Sequence, residues 1–242
     1  ATRSPRLYDA LRTHGNGNSI TSIADGTKAE RARSTEIGFN YNNGAFAANG
    51  SYFWQTIKDA VAGPQQRHDA DGNVIPGVRE IVNAGYIKNR GYELGASYRT
   101  GGLVTKIGVA HSKPRIYDTH PENLLSANPE FAVQVGRTWT ASVAYRFDKP
   151  DLEIGWQNRT VQKTSGSVLV RERNDCTLTP VERKSYNVND IFANWKPLGK
   201  DTLNVNFAIN NVFNKFYYPH SQRSDTLPGV GRDFRLAVNY KF

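Results

Sequence analysis

Methionine is absent from all 242 residues, and cysteine occurs once, at position 176. A single thiol cannot form an internal disulfide, and Cys176 sits in the polar run Asn174-Asp175-Cys176-Thr177, which reads as loop. No charged segment followed by an apolar stretch opens the chain, so no signal peptide is visible. With no methionine at its start either, the chain is expected to be a mature or cut piece of a longer protein. Nowhere do about 18 apolar residues follow one another, which excludes a transmembrane helix. It does not exclude a membrane barrel, whose strands need apolar side chains only at alternate positions. Catalytic signatures are missing too: there is no Gly-x-Ser-x-Gly elbow, metal-binding His-Glu pair or phosphate loop. An enzyme is not expected.

What the chain has in abundance is alternation. Phe234, Leu236, Val238, Tyr240 and Phe242 interleave with Asp233, Arg235, Ala237, Asn239 and Lys241. The same period of two runs through Leu203–Ile209, Trp139–Phe147, Leu152–Trp156, Tyr92–Tyr98 and Thr35–Tyr41. Between these segments, short connections rich in Gly, Asn, Asp and Pro alternate with long ones. The short ones are Asn42-Asn43-Gly44, Thr100-Gly101-Gly102, Asp148-Lys149-Pro150-Asp151 and Leu198-Gly199-Lys200-Asp201. The long ones cover approximately 4–28, 60–84, 118–133, 164–183 and 219–231.

About nine strands of ten or more residues follow, long enough to cross a bilayer at a tilt. Short turns belong on the periplasmic side of an outer-membrane barrel and long loops outside, so the C-terminus is expected on the periplasmic side. Aromatics cluster near strand ends (Tyr52, Trp54, Tyr98, Tyr145, Phe147, Trp195), as interface girdles do. A soluble β-sandwich also alternates, but strands this long with a continuous polar face do not suit it. Because an odd number of strands is unusual for a closed bacterial barrel, further strands are expected upstream of Ala1.

The charge balance is basic, +9, but Lys and Arg are spread along strands and loops rather than clustered, which disfavours nucleic acid. Glu36, Glu93 and Glu153 share the inward face with Arg99, Arg146, Arg159 and Arg235, and read as lumen residues. The stretch Asp69-Ala70-Asp71-Gly72-Asn73, with Glu80 twelfth, has a calcium-loop look. Val74 stands where such a loop needs glycine, so a plain Asp-Gly turn is the better reading.

Four stretches, in order along the chain, carry a family resemblance. Arg3-Ser4-Pro5 resembles the Arg-x-Pro end of a mid-barrel strand in TonB-dependent outer-membrane receptors, and Lys28-Ala29-Glu30 through Gly38 resembles the strand opening that follows it there. Leu203 to Tyr218, centred on Asn210-Asn211-Val212-Phe213-Asn214-Lys215, is similar to their penultimate strand. The ending Phe234, Leu236, Val238, Tyr240, Phe242 resembles the barrel assembly signal. Within that family, Ile23–Glu30, Asn194–Thr202 and Tyr217–Arg223 are most similar to iron-regulated ferric-enterobactin receptors of the FetA/FrpB type.

The resemblance implies an all-β fold, an antiparallel transmembrane β-barrel. Residues 1–242 would form the C-terminal portion of a 22-stranded barrel, and the N-terminal plug and earlier strands are not in this sequence. It implies energised uptake of a ferric siderophore, ferric enterobactin, driven by TonB-ExbB-ExbD through the missing N-terminal part. Outer-membrane lipid, lipopolysaccharide and the barrel assembly machinery are the other implied partners, with no cofactor and no resident metal.

A ferric tris-catecholate is a compact trianion with aromatic faces, so cationic and aromatic loop side chains suit it. By position the candidates are Arg6, Tyr8, Arg12, Arg67, Arg79, Tyr117, Tyr217, Tyr218 and Arg223. His14, His68, His120 and His220 sit in or beside long loops and offer imidazoles for iron or haem, without chelate spacing. For any one of these residues a solvated loop side chain is the plainer reading. A haem-uptake receptor and a passive porin or adhesin remain the rival functions.

Overall fold

The structure is a computed structural model and describes residues 2–3, 20–61, 65–83, 85–117, 134–172, 175–198, 202–220 and 227–241. Sixteen strands and no helix occur among them. They are β1 (Thr2–Arg3), β2 (Ile20–Ile23), β3 (Glu30–Asn42), β4 (Phe46–Lys58), β5 (Gln65–His68), β6 (Val74–Ile81), β7 (Tyr86–Thr100) and β8 (Leu103–Ser112). Then follow β9 (Arg115–Tyr117), β10 (Thr138–Phe147), β11 (Leu152–Val161), β12 (Thr164–Glu172), β13 (Asp175–Arg183), β14 (Tyr186–Trp195), β15 (Leu203–Asn210) and β16 (Asp233–Tyr240).

One continuous sheet carries the molecule, in the order β1-β3-β4-β7-β8-β10-β11-β14-β15-β16, with β9 beside β7. Every pairing in it is antiparallel. The nine long staves predicted from alternation are β3, β4, β7, β8, β10, β11, β14, β15 and β16, although β15 and β16 have only eight residues each.

Register keeps the two faces distinct. Ile37 pairs with Tyr52, Tyr52 with Tyr92, Leu94 with Val109 and Val109 with Trp139. Further along, Val143 meets Trp156, Trp156 meets Ile191, Ile191 meets Ile209 and Ile209 meets Phe234. This apolar face is not covered by protein: Ile37, Ile107, Phe234 and Leu236 are each more than half exposed. The opposite face carries Glu36, Asn49, Glu93, Lys106, Ser142, Gln157, Asp190 and Arg235 at the intervening positions. A water-soluble sheet buries its apolar face, whereas this one presents it outward, as a membrane wall does.

Inside the wall, two aromatic rings lie flat on glycine. A β-carbon on Gly155 would come within 2.2 Å of the Phe192 ring, its cross-strand partner, and one on Gly91 within 2.6 Å of Phe53. Glycine in a strand weakens it unless something packs closely, and here the neighbouring ring fills the missing side-chain space.

The short β3–β4 turn behaves as predicted, while residues 199–201 of the predicted 198–201 turn lie outside the described residues. In the β3–β4 hairpin Gly44 has φ of +89°, its N–H donates to Asn42 Oδ1 at 2.8 Å, and the Phe46 N–H donates to Asn43 Oδ1 at 2.8 Å. The long connections differ from expectation, because three of those read as loop contain strands, β2 within 4–28 among them. Segment 60–84 folds into β5 and β6, which with β2 make a separate three-stranded sheet. Segment 164–183 is the hairpin β12–β13. Cys176 accordingly lies on β13 opposite Arg171 rather than in a loop, and Pro180 is tolerated because a two-stranded ribbon has a free edge on each side.

Substituting a lipid-facing residue midway along β16 separates the two faces experimentally. Leu236→Lys is expected to lower unfolding free energy in vesicles by about 2–4 kcal/mol, and Ala237→Lys on the inner face by much less. Urea titration of the refolded whole receptor checks this; equal losses would invert the assignment of faces.

Candidate functional site

The apolar residues that are buried all gather at the end bearing the long connections: Ala60, Val61, Ile81 and Ile87 in one group, Val161, Tyr186 and Val188 in another. These groups fasten the small sheets and loops to the wall.

The first group is locked by Asn83 and Glu30. Asn83 Nδ2 donates to Asp59 O at 2.7 Å and Lys28 O at 2.9 Å, while its Oδ1 accepts from the Lys28 N–H at 2.6 Å. The buried Glu30 carboxylate accepts the Val61 N–H at 2.8 Å. Arg67 and Arg79, predicted as ligand residues, ride on the sheet held this way. Arg67 is exposed and within 3.9 Å of Glu80. His68 ends β5, exposed, beside the turn.

That turn contains the calcium-like motif. Asp69 Oδ1 accepts the N–H groups of Asn73 (2.8 Å) and Asp71 (3.0 Å), and Gly72 takes φ of +84°. The Asn73 N–H holds the Asp69 carboxyl below the usual carboxylate range. The carboxylate thus accepts two backbone donors in a tight β5–β6 turn.

The second group contains the residue the sequence reading misjudged. His220 was expected on a loop surface, yet it is 1% exposed. Its Nδ1 accepts the Gly136 N–H at 3.1 Å, and its Nε2 lies 2.9 Å from Lys184 O. A carbonyl can only accept, so Nε2 carries the proton and both ring nitrogens are engaged. Arg183 Nη1 donates to His220 O at 3.0 Å, and Tyr186 meets the imidazole edge-on at 5.3 Å. Tyr217 stacks on Tyr186 at 4.6 Å. His220 therefore ties together three segments distant in sequence: the stretch leading into β10, the β13–β14 link, and the stretch after β15. A histidine buried for this purpose leaves no sequence mark that distinguishes it from a loop imidazole.

Tyr217 and Tyr218 do not act as a pair. Tyr217 packs inward on Tyr186, while Tyr218 meets Phe216 edge-to-face at 5.4 Å, and Phe216 is largely exposed. Tyr117 faces outward, stacked on Tyr86 at 4.8 Å with Lys88 Nζ 5.3 Å from both ring centroids. Arg6, Tyr8, Arg12, His14, His120, Arg223 and Phe242 lie outside the described residues. The predicted ligand residues that are described do not converge on one point.

The Asn210–Lys215 motif has a structural explanation. Asn211, 3% exposed, adopts φ of +49°, a left-handed conformation that asparagine tolerates better than most residues. Its Nδ2 donates to Lys215 O (2.8 Å) and Val230 O (3.0 Å), and its Oδ1 accepts the Lys215 N–H (2.8 Å). Its own N–H donates to Asp190 Oδ1 at 2.7 Å.

Asp190 lies on the inner face of β14, where it also accepts from Gln157 Nε2 at 3.3 Å. Together with Lys106, Thr140, Ser142 and Arg159 these two residues line a recess of about 380 Å³ in the inner wall. Two cations here face one carboxylate already engaged by two donors, so the recess is electropositive and polar, a surface suited to a hydrated anion. Further toward the short turns, Arg146 and Asp151 pair at 3.0 Å, and Asn194 donates to Glu153 at 3.2 Å.

A one-sided apolar sheet with charged inner positions, short turns at one end and folded loops at the other defines the class: part of the wall of a transmembrane β-barrel. Residues 1–212 match the family described as TonB dependent receptor-like, beta-barrel, and the chain belongs to that family, whose barrels lie in the bacterial outer membrane and serve as receptors and transporters. The FrpB iron transporter from Neisseria meningitidis (F3-3 variant) is 71% identical over the whole chain, with a TM-score of 0.86, and the chain covers 36% of it. The TonB-dependent heme receptor A of Haemophilus influenzae is 22% identical over 99% of the chain, which spans 34% of that relative. The siderophore receptor PirA from Acinetobacter baumannii shares the fold at 16% identity and a TM-score of 0.68, over 93% of this chain and 33% of its own. The chain thus spans about a third of the proteins it resembles.

Asn211→Ala removes three side-chain hydrogen bonds and places alanine in a left-handed backbone. It is expected to cost about 2–4 kcal/mol. Asn211→Gly, which relieves only the backbone part, should recover a fraction of this. Thermal loss of the compact, heat-modifiable band on gels is the readout, and an unchanged midpoint for the alanine variant would remove Asn211 as a lock.

Proposed function

We propose that this chain forms barrel wall and outer loops of a receptor for a ferric siderophore, with ferric enterobactin as the ligand and TonB-ExbB-ExbD as the energy source. The observation that carries the reading is 71% identity, along the whole chain, to a protein described as an iron transporter. The inner recess supports it: Lys106 and Arg159 offer charge to an anionic iron complex passing along the wall, and Asp190 links that recess to the Asn211 lock beneath the 211–232 connection. The remaining strands of a 22-stranded barrel and the plug belong to the two thirds of the receptor outside this chain. The long-connection end faces outside and Tyr240 lies near the periplasm.

Haem uptake is the second reading, because the relative from Haemophilus influenzae is a heme receptor. Geometry weighs against His220 as a haem ligand, since neither of its ring nitrogens is free. His14 and His120 are the other imidazoles that reading would use.

Transport separates the readings. In an iron-starved strain whose own siderophore receptors are deleted, the whole receptor should support uptake of ⁵⁵Fe-enterobactin that disappears when TonB is removed. Growth on haem but not on ferric enterobactin would overturn the assignment, and TonB-independent uptake would favour a passive pore. The double variant Lys106→Gln/Arg159→Gln should lower the uptake rate by roughly tenfold, the order expected when about 1.4 kcal/mol of ligand interaction is lost. Orientation is tested separately with Cys176→Ser/Asp71→Cys: a membrane-impermeant maleimide should label the β5–β6 turn in intact cells, and labelling only after lysis would reverse the topology.

A further inference from the structure

The backbone around His220 dictates the charge of its ring. The imidazole is buried beside the apolar group of Val161, Tyr186 and Val188, against which Val135 and Tyr217 also pack. Nδ1 faces an N–H, that of Gly136, and Nε2 faces a carbonyl, that of Lys184. A neutral ring satisfies both neighbours in one tautomer, with its proton on Nε2. An imidazolium carries a proton on each nitrogen, so its Nδ1–H would point at the Gly136 N–H, donor against donor. The knot accepts neutral histidine and rejects the charged form.

Little slack exists to relieve that conflict. A β-carbon on Gly136 would collide with the Gln162 carbonyl oxygen and come within 3.3 Å of His220 Nδ1, so this glycine is pressed between the end of β11 and the imidazole. At the next residue the Gln162 N–H donates to Arg137 O at 2.9 Å. On the other side, the His220 carbonyl accepts from Arg183 Nη1 at 3.0 Å, and its backbone N–H donates to the Tyr186 hydroxyl oxygen.

Charges of both signs lie on the elements packed around the ring. Arg183 and Lys184 come from the β13–β14 link, Arg137 from the stretch leading into β10, and Arg159 on β11 acts on the Tyr186 hydroxyl. The carboxylates are Glu182, 3.8 Å from Lys163, and Glu93, which lines a small inner cavity with Gly136. Tyr186, Tyr217 and His111 are the other titratable groups, His111 lining that same cavity. Carboxylates ordinarily titrate near about pH 4 and tyrosines near about pH 10. Across mildly acidic pH the imidazoles are therefore the groups that respond.

We propose that His220 is an acid-released clasp, closed by the neutral imidazole and opened when the ring takes up a proton. Opening frees the stretch leading into β10, the β13–β14 link and the stretch after β15 from one another. The sign follows from proton binding: the closed clasp has no place for a second ring proton, whereas a released imidazole takes one at about pH 6.5. Acid therefore favours the open form, and the opening constant rises about tenfold between roughly pH 7.5 and pH 5.5. The clasp operates whichever ligand the receptor carries. Acidification on the side of the long connections loosens three segments at once while the wall stays paired.

Amide hydrogen exchange of the whole receptor in phospholipid vesicles, read by mass spectrometry and corrected for the intrinsic effect of pH, tests this. Peptides containing Gly136 and residues 183–186 should lose about tenfold in protection between roughly pH 7.5 and pH 5.5. Peptides from the β7–β8 pairing should keep theirs. His220→Gln does not titrate and retains a donor for Lys184 O, so its protection should be the same at both pH values. His111→Gln should respond as the parent does. A parent without the acid response, a response that survives His220→Gln, or one that disappears in His111→Gln overturns the proposal.

Should His220→Gln fail to fold, a pH series on the parent decides. Protection should be level above about pH 7, begin to fall near about pH 6.5 and approach a tenfold loss per pH unit in more acid solution. A fall that starts only below about pH 5, where carboxylates titrate, overturns the clasp as well.

Discussion

The interaction on which everything else depends is the backbone hydrogen bond between neighbouring strands. In hydrocarbon an unpaired N–H or C=O finds no water, so a segment that crosses the membrane must satisfy its backbone within the protein. The antiparallel ladder from β3 to β16 does this for every strand between them, whereas β3 and β16 are paired along their full length on one side only among the described residues. It also frees the side chains from building a core. The wall needs only to present apolar groups outward and compatible groups inward, which accounts for a mean hydropathy of −0.60 in a chain that lives in a membrane.

Where the strands leave the bilayer the logic reverses. Water returns and the ladder no longer has to be continuous, so the connections are fastened by polar residues, Asn211 and His220 buried and Asn83 half-buried. Asn83 joins two backbone carbonyls and an N–H across residues 28, 59 and 83, Asn211 joins 190, 215 and 230, and His220 joins 136, 183 and 184. Each of these side chains has both donors and acceptors, and each sits where chain segments converge whose backbone groups would otherwise lack partners. The buried aliphatic residues surround these knots, so loop architecture in this protein is anchored at the rim of the wall.

Alternation lets one strand serve two surfaces. On β7, Asn89, Gly91 and Glu93 look inward while Lys88, Arg90 and Tyr92 look outward. On β11, Gln157 and Arg159 line the inner recess while Trp156 and Asn158 join an outward hydrogen-bonded row with Asn189. The inner and outer surfaces can therefore be changed by substitutions at adjacent positions without interfering, since the sheet separates them by its own thickness.

The nine staves, the short hairpin turns and the apolar row ending in Tyr240 were legible from residue order because period two and turn chemistry are local: they depend on neighbours within a few positions. The family was legible for the same reason, through Asn210–Lys215 and the chain's last strand. Strands β2, β5, β6, β12 and β13 were not, since their alternation is weak and their pairing is set by where the wall holds their ends. Nor were the burial of His220 or the opposite facing of Tyr217 and Tyr218. Those depend on contacts between residues tens of positions apart, and an imidazole looks the same in the chain whether it ends in water or between a backbone N–H and a carbonyl. Register across strands supplied that missing information.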